Sequence, residues 1–395
     1  MGGYLLFFLV VLIALAAFFQ ADFMLVVVYL LGGVAIVNLW WSRRSARNVK
    51  VDRDLPERAF YNETIQVRLT AQNTGRIPVL WMHIRDNLPS ELAVAGQVQE
   101  VVSLGTKGAR SLLYSLDCRQ RGYYPIGPAS VTIGDFLGLT SPQLLKSKED
   151  HLTVFPKIIP LTRIVVPSHS PLGTLRTNQP LFEDPTRVRG KRDYQPGDSQ
   201  RRIDWKASSV AHRLLVKQFE PSIALESMIF LNLNRQEYQL KDLYRASELA
   251  IIAAASIANW LVRERQAVGL ASNGIDPLAE YGEPPMIAPG RGRGRLVRIL
   301  EILARLRSSE TFPFVDLIQR EMVGLSWGST IMVIANLVNN DLFEALFQAR
   351  RRGLSPILLV CGHVDRIVEI ERKAAFFHTP FIHILTEQDF DIWRN

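Results

Sequence analysis

Residues that could do chemistry in this chain of 395 concentrate between Asp184 and Glu220. From Arg187 to Lys217 there are nine basic residues (Arg187, Arg189, Lys191, Arg192, Arg201, Arg202, Lys206, Arg213 and Lys217) against three acidic ones (Asp193, Asp198 and Asp204). So dense a positive surplus suits an anion, an acidic protein or a lipid headgroup. Asp198 and Asp204 could cap a helix and pair with Arg192, Arg201 and Arg202. Alternatively, either could be the base of a hydrolase whose arginines hold an anionic substrate. Arginine neighbours lower a carboxylate's pKa, which favours ionic structure over proton transfer. Aromatic interleaving is confined to Tyr194 and Trp205, which disfavours nucleic acid.

Local pattern supplies the elements that would position these groups. Pro196 and Gly197 suit the centre of a type II turn, and Asp198 follows as an N-cap. Ile203, Ala207, Val210, Ala211 and Leu214 fall on one helix face, with Arg202, Lys206 and Arg213 elsewhere. The helix is expected to end near His212, and Leu214 to Phe219 reads as a strand. Trp205 is then expected to wedge between two folded domains. The segment reads as a structural junction, as a docking surface for an acidic partner, or as an anion site.

Tyr194, Pro196, Gly197, Asp198, Arg201, Ile203, Asp204 and Trp205 match a YxPGDxxRxIDW pattern. Lys206-Ala207-Ser208 and Leu215-Val216-Lys217 come after it. This resembles the signature of a bacterial membrane-anchored family catalogued as domain of unknown function, family 58. Ser208-Ser209 stands where that family often has Ala-Arg. Arg121-Gly122-Tyr123-Tyr124-Pro125-Ile126-Gly127-Pro128 is similar to its RGxYxxGP element. Asp135-Phe136-Leu137-Gly138-Leu139 is similar to its DPFGL-like element without the proline. The glycines and prolines of both read as turn formers.

The resemblance implies a C-terminal von Willebrand factor A-like domain and a MoxR-type AAA+ ATPase as partner. It implies an adaptor or scaffold, not an enzyme, whose partner-binding set would be Arg189, Arg192, Tyr194, Pro196, Gly197, Asp198, Arg201, Arg202, Asp204, Trp205, Lys206 and Lys217. Such domains commonly hold a divalent metal through an Asp-x-Ser-x-Ser loop. Here the loop is Asn232-Leu233-Asn234-Arg235-Gln236, without carboxylate or serine and with a cation added. No metal is expected there, since hard cations want anionic oxygens, and no cofactor is implied.

The flanks give a multidomain chain. Tyr4 to Trp41 is apolar apart from Asn38 and a break at Gln20-Ala21-Asp22. A single span needs roughly 20 apolar residues, so this run reads as a transmembrane helical hairpin within residues 1–44. Trp40 and Trp41 suit the interface. Arg43, Arg44 and Arg47 place the subsequent domains on the cytoplasmic side of a plasma (inner) membrane, in a multi-pass protein. A cleaved signal peptide fits poorly, since no basic region precedes the apolar run.

Residues 48–142 read as a small β-sandwich, with strands at Thr64–Thr70, Val79–Ile84 and Ser111–Leu116 between turn residues. Residues 143–220 read as a proline-interrupted linker and the basic segment. Residues 221–395 alternate strand and helix as an open α/β sheet. The strands are expected at Met228–Leu233, Ala267–Ala271, Thr330–Ala335, Pro356–Val360 and Phe381–Leu385.

Weaker signals carry little. Pro289 to Arg295 lacks the ending of a phosphate-binding loop and reads as a solvated loop. His363, His378 and His383 have no metal spacing, and Cys118 and Cys361 read as buried apolar side chains. The net charge of +8 does not by itself choose between nucleic acid, lipid and acidic protein.

Overall fold

The computed structural model describes residues 22–134, 143–162, 183–195, 203–221, 226–239, 241–279, 283–310 and 312–393, with positions 7, 10, 11 and 13. It divides into two compact units, Met1–Lys157 with Leu303–Arg305, and Ile158–Ile302 with Leu306–Asn395.

The first unit opens with helix α1, Asp22–Ala46. Its stretch Leu25–Ala46 is long and apolar enough to cross a membrane. Arg43 and Arg44 occupy the last turn, where cations complement the helix dipole. That end is seated on protein: Ser42, Ser45 and Ala46 are buried, and Trp41 Nε1 donates to the Pro78 carbonyl at 3.1 Å. Of the two indoles expected at a membrane interface, Trp40 is exposed, whereas Trp41 makes this packing contact. The expected partner span, Tyr4 to Phe19, lies outside the described residues except at four positions.

Eleven strands come next: β1 Val49–Asp54, β2 Arg58–Ala59, β3 Thr64–Asn73, β4 Val79–Arg85, β5 Ala93–Gly96, β6 Gln99–Leu104, β7 Ala109–Asp117, β8 Gly122–Ile126, β9 Ser130–Gly134, β10 Gln143–Lys146 and β11 Asp150–Val154. They form antiparallel sheets β1-β3-β7-β5 and β10-β9-β4-β6, with a third sheet β2-β11-β8. Period-two alternation buries Ile65, Val67, Leu69 and Ala71 on one face of β3. Val67, Leu69 and Leu116 share a core with Met82, Ile84, Val131 and Ile133, so the two four-stranded sheets enclose one apolar interior.

The expected linker from residue 143 is a correction. Its first part holds β10 and β11, which complete two of these sheets. Four- and five-residue strands beside Pro156 and Pro160 are too short for the pattern to separate from a connector.

A buried ionic node ties this unit together. The guanidinium of Arg53 meets Asp86 through Nη2 at 2.6 Å and Asp150 through Nη1 at 2.6 Å, and donates to the Ile126 carbonyl at 3.0 Å. Tyr114 Oη donates to the second Asp86 oxygen at 2.6 Å. Burial alone would lower the Arg53 pKa, but the bond and charge of Asp86 outweigh it and raise it. Burial, then the bond to Asp86, pushes the Tyr114 phenol upward. Gly127 adopts a φ of +99°, and a Cβ there would come within 2.7 Å of Arg53 Nη2. The Gly127-Pro128 element therefore shapes the backbone that receives this arginine.

The second unit begins with β12 Glu183–Asp193, α2 Trp205–Ala211 and β13 Leu215–Pro221. Beyond them come β14 Glu226–Leu231, α3 Leu243–Arg263, β15 Ala267–Ser272, β16 Met286–Gly290, α4 Arg293–Arg305, α5 Phe314–Glu321, β17 Thr330–Ala335, α6 Asn340–Arg351, β18 Ser355–Cys361, α7 Ile367–Phe376 and β19 Phe381–Ile384. Strand order is β16-β15-β14-β17-β18-β19, parallel except for β16 at the edge. Strands β14, β17 and β18 are buried over nearly their whole length, as helices on both faces of a parallel sheet require. Helix α3 is also long and apolar enough to span a membrane, but it is mostly buried here and serves as a core helix. Strand β16 takes up Pro289 and Gly290, which read from sequence as part of a solvated loop.

Replacing Arg53 with Met should destabilise the first unit by about 3–5 kcal/mol, because Asp86 is left buried and unpaired. Urea denaturation of the full chain, compared with Asp86→Leu and with the double variant, checks this. The double variant is expected to lose less than the sum of the two single ones.

Candidate functional site

The basic segment folds as a two-stranded antiparallel sheet with a short helix between its strands. Across it Lys191 faces Lys217, Arg192 faces Val216 and Asp193 faces Leu215. Like charges directly opposite one another are destabilising. Asp204 relieves the clash: its Oδ2 lies 2.9 Å from Lys191 Nζ, and the charge of Lys217 acts on it as well.

The same residue fixes α2. Asp204 Oδ1 accepts from the Ala207 N–H at 3.1 Å as the N-cap. Its own N–H donates to the Leu215 carbonyl at 2.9 Å. Its carbonyl accepts from the Ser208 N–H and hydroxyl, both at 2.8 Å. Ser208 Oγ in turn accepts from the Leu215 N–H at 2.9 Å. Asp204 and Ser208 thus join β12, α2 and β13. The bond from Lys191, then that from Ala207, holds the Asp204 carboxyl below the usual carboxylate range.

Of the two carboxylates expected as caps, Asp204 caps the helix and Asp198 lies outside the described residues. Two other expectations change. Ile203 precedes the helix and bridges Val216, both side chains being buried, so it is not part of the helix face. Trp205, expected to be covered by packing, is 66% exposed, as are Val210 at 80% and Leu214 at 44%. A seven-residue helix with one buried side chain, Ser208, cannot cover the apolar face that the periodicity assigns it.

The other expected site residues are dispersed. Arg192 Nη1 donates to the Asp193 carbonyl at 3.1 Å, and Arg213 pairs with the exposed Asp193 carboxylate at 3.2 Å. Tyr194 extends the hairpin through a backbone bond to Leu214 at 2.9 Å, and Lys206 is exposed on α2. Pro196, Gly197, Arg201, Arg202 and the side chain of Arg189 lie outside the described residues. Sequence reasoning missed Ser208, a small residue whose spacing from Asp204 matches a helical turn but whose bond to β13 is tertiary.

At the carboxyl ends of the parallel strands, Asn232 and Asn234 belong to a network of amides. Asn232 Oδ1 accepts from the Asn234 N–H and from Asn273 Nδ2, both at 3.0 Å. Asn232 Nδ2 and Asn234 Nδ2 donate to the two oxygens of Glu237 at 2.6 and 2.9 Å. Asn273 Oδ1 accepts from the Leu233 N–H at 2.6 Å. These amides hold the loops after β14 and β15 to each other. A neighbouring cleft of about 440 Å³ carries Glu237, Asp316, Asp341 and Glu344, a charge unsuited to an anionic substrate. Among the described residues no three His, Cys, Asp or Glu side chains converge as a metal site.

Residues 190–318 match the model of a family described as protein of unknown function DUF58. The uncharacterized protein YeaD of Bacillus subtilis (strain 168) is 26% identical over 234 residues, 58% of this chain and 56% of that protein. The chain therefore spans just over half the length of that relative. An aerotolerance-related membrane protein from Bacteroides fragilis NCTC 9343, with multiple mutations to serines, is 16% identical over 43% of this chain and 95% of its own, at a TM-score of 0.30. The CARDB domain of PF1109 from Pyrococcus furiosus is 19% identical over 27% of this chain and 94% of its own, at a TM-score of 0.19. At these scores the structural likenesses carry no argument.

The depressed pKa of Asp204 sets a pH dependence. A carboxyl that titrates lower in the folded state contributes stability above its unfolded pKa, near 4 as a rough value, and loses it as pH falls through the folded pKa. Amide exchange across residues 203–217, corrected for intrinsic rates, should therefore be slow at neutral pH and accelerate on acidification through that window. In Asp204→Ala it should already be fast at neutral pH.

Proposed function

We propose that this chain is a membrane-tethered adaptor that docks an acidic protein through the β12–α2–β13 segment. The observation that carries this reading is that Trp205, Val210 and Leu214 are all exposed to solvent within one short stretch of chain that also holds Lys206 and Arg213. Tryptophan and arginine dominate the energetics of protein interfaces, where a central aromatic anchor is surrounded by charge that steers the partner. A two-stranded hairpin standing alone is marginally stable in water, so a partner seated on it would also add order.

Helix α1 supports the tether, and Arg43, Arg44 and Arg47 favour a cytoplasmic location for the domains beyond it. A second span within residues 1–44 would make the protein multi-pass in the plasma (inner) membrane. Two sheets around one core support a small β-sandwich, and the strand order with an antiparallel edge supports a von Willebrand factor A-like second unit. The signature Tyr194 to Trp205 points, by resemblance, to a MoxR-type AAA+ ATPase as the acidic partner. Against a hydrolase, both oxygens of the Asp204 carboxylate are engaged, as cap and as ion-pair partner, and its lowered pKa makes it a weak base.

The full chain in nanodiscs, titrated with a purified MoxR-type ATPase, tests this. Trp205→Ala is expected to weaken binding by about tenfold or more. Lys206→Glu with Arg213→Glu should slow association and flatten its salt dependence. Unchanged binding in both variants would count against the segment as the contact.

A further inference from the structure

On α6 and α7 the second unit carries a group of phenylalanine rings that is only half covered. Phe377 stacks on Phe343 at 5.6 Å between centroids and meets Phe347 at 6.0 Å and Phe376 at 5.3 Å. Phe343 is buried, but Phe376 is 79% exposed and Phe347 is 44% exposed. Arg350 Nη1 donates to the carbonyls of Phe377 and His378 at 3.0 and 2.8 Å, which joins the carboxyl ends of the two helices. The chain then turns at Gly353, whose φ of +82° and lack of a Cβ admit the indole of Trp327, itself 61% exposed.

The exposed rings of Phe347 and Phe376 are therefore linked through Phe377, and Trp327 lies against Gly353 just beyond the end of α6. The exposed guanidiniums of Arg351, Arg352 and Arg372 extend from the same helix ends. Arg372 lies one turn before Phe376 on α7, on the same side of the helix. Single exposed apolar side chains are ordinary, but a contiguous set marks an interaction surface. Tryptophan and phenylalanine interspersed with arginine are the composition of segments that rest in the bilayer interface. Guanidinium forks match lipid phosphates, and an anionic leaflet attracts such clusters.

We infer that this corner is a peripheral contact with an anionic lipid surface. The inference rests on the membrane-tether reading, because a chain held by α1 keeps the patch at high local concentration near a leaflet. The rings enter the interfacial zone while the arginines meet headgroup phosphates. Neither element of this contact takes part in the basic hairpin.

The test uses the full chain in nanodiscs, either zwitterionic or with roughly equal parts of anionic and zwitterionic lipid. Cys118 and Cys361 are buried, so an environment-sensitive dye can be directed to Ala375→Cys beside the rings and, as a control, to Gln319→Cys. The dye at position 375 should shift to the blue and be quenched by brominated lipid in anionic discs. Arg351→Glu with Arg352→Glu, or Arg372→Glu, should reverse the shift, and the dye at 319 should report water throughout. A dye at 375 that responds equally in both lipids, or responds only to added single-stranded RNA, would overturn the contact while leaving the tether. A chain that fails to co-elute with the discs would overturn the tether and the contact with it.

Discussion

Two lysines facing each other across a narrow hairpin, Lys191 and Lys217, set the constraint on which the basic segment depends. Without an anion at that crossing the pairing of β12 with β13 would be opposed by like charge. The carboxylate of Asp204 meets the need from within the chain, and in doing so its backbone fixes the start of α2 and its junction with β13. One residue therefore does electrostatic, capping and tertiary work at once. This explains why the core of the segment reads as Ile203-Asp204-Trp205: the first side chain is buried, the second forms the node, and the third is turned outward.

The first unit solves a related problem with the opposite degree of burial. Arg53 sits inside, with Asp86, Asp150, the Ile126 carbonyl and, through Asp86, Tyr114 around it. A buried pair of this kind is costly to break and does little for recognition. The Asp204 node is more exposed, so it supports a shape without enclosing it. Its neighbours Trp205 and Val210 remain available to another surface, which separates a scaffold element from an interacting one.

Much of this architecture was legible in the sequence, and the failures have physical causes. The buried strands β14, β17 and β18 stand out because both faces of a parallel sheet are covered, leaving unbroken apolar runs. Strand β3 stands out by its alternation. Strands β10 and β11 do not, being short and next to prolines. At the site, the helix end near His212 was readable, whereas its start was not. Asp198 and Asp204 are both plausible caps by residue type, and only the tertiary bond to Lys191 distinguishes Asp204. The exposure of Trp205 was unreadable for a similar reason, since an apolar face looks the same in sequence whether or not the fold covers it. In the loop after β14, Glu237 lies one residue beyond the window in which a carboxylate was sought, and its oxygens are taken by Asn232 and Asn234.

If the outward face of α2 is a protein contact, a photoreactive residue placed at Val210 will report it in native membranes. Irradiation should give a discrete crosslink to an acidic protein, and that crosslink should disappear when Asp204→Ala loosens the helix. Crosslinks to lipid alone, or a protein crosslink indifferent to Asp204→Ala, would contradict the contact.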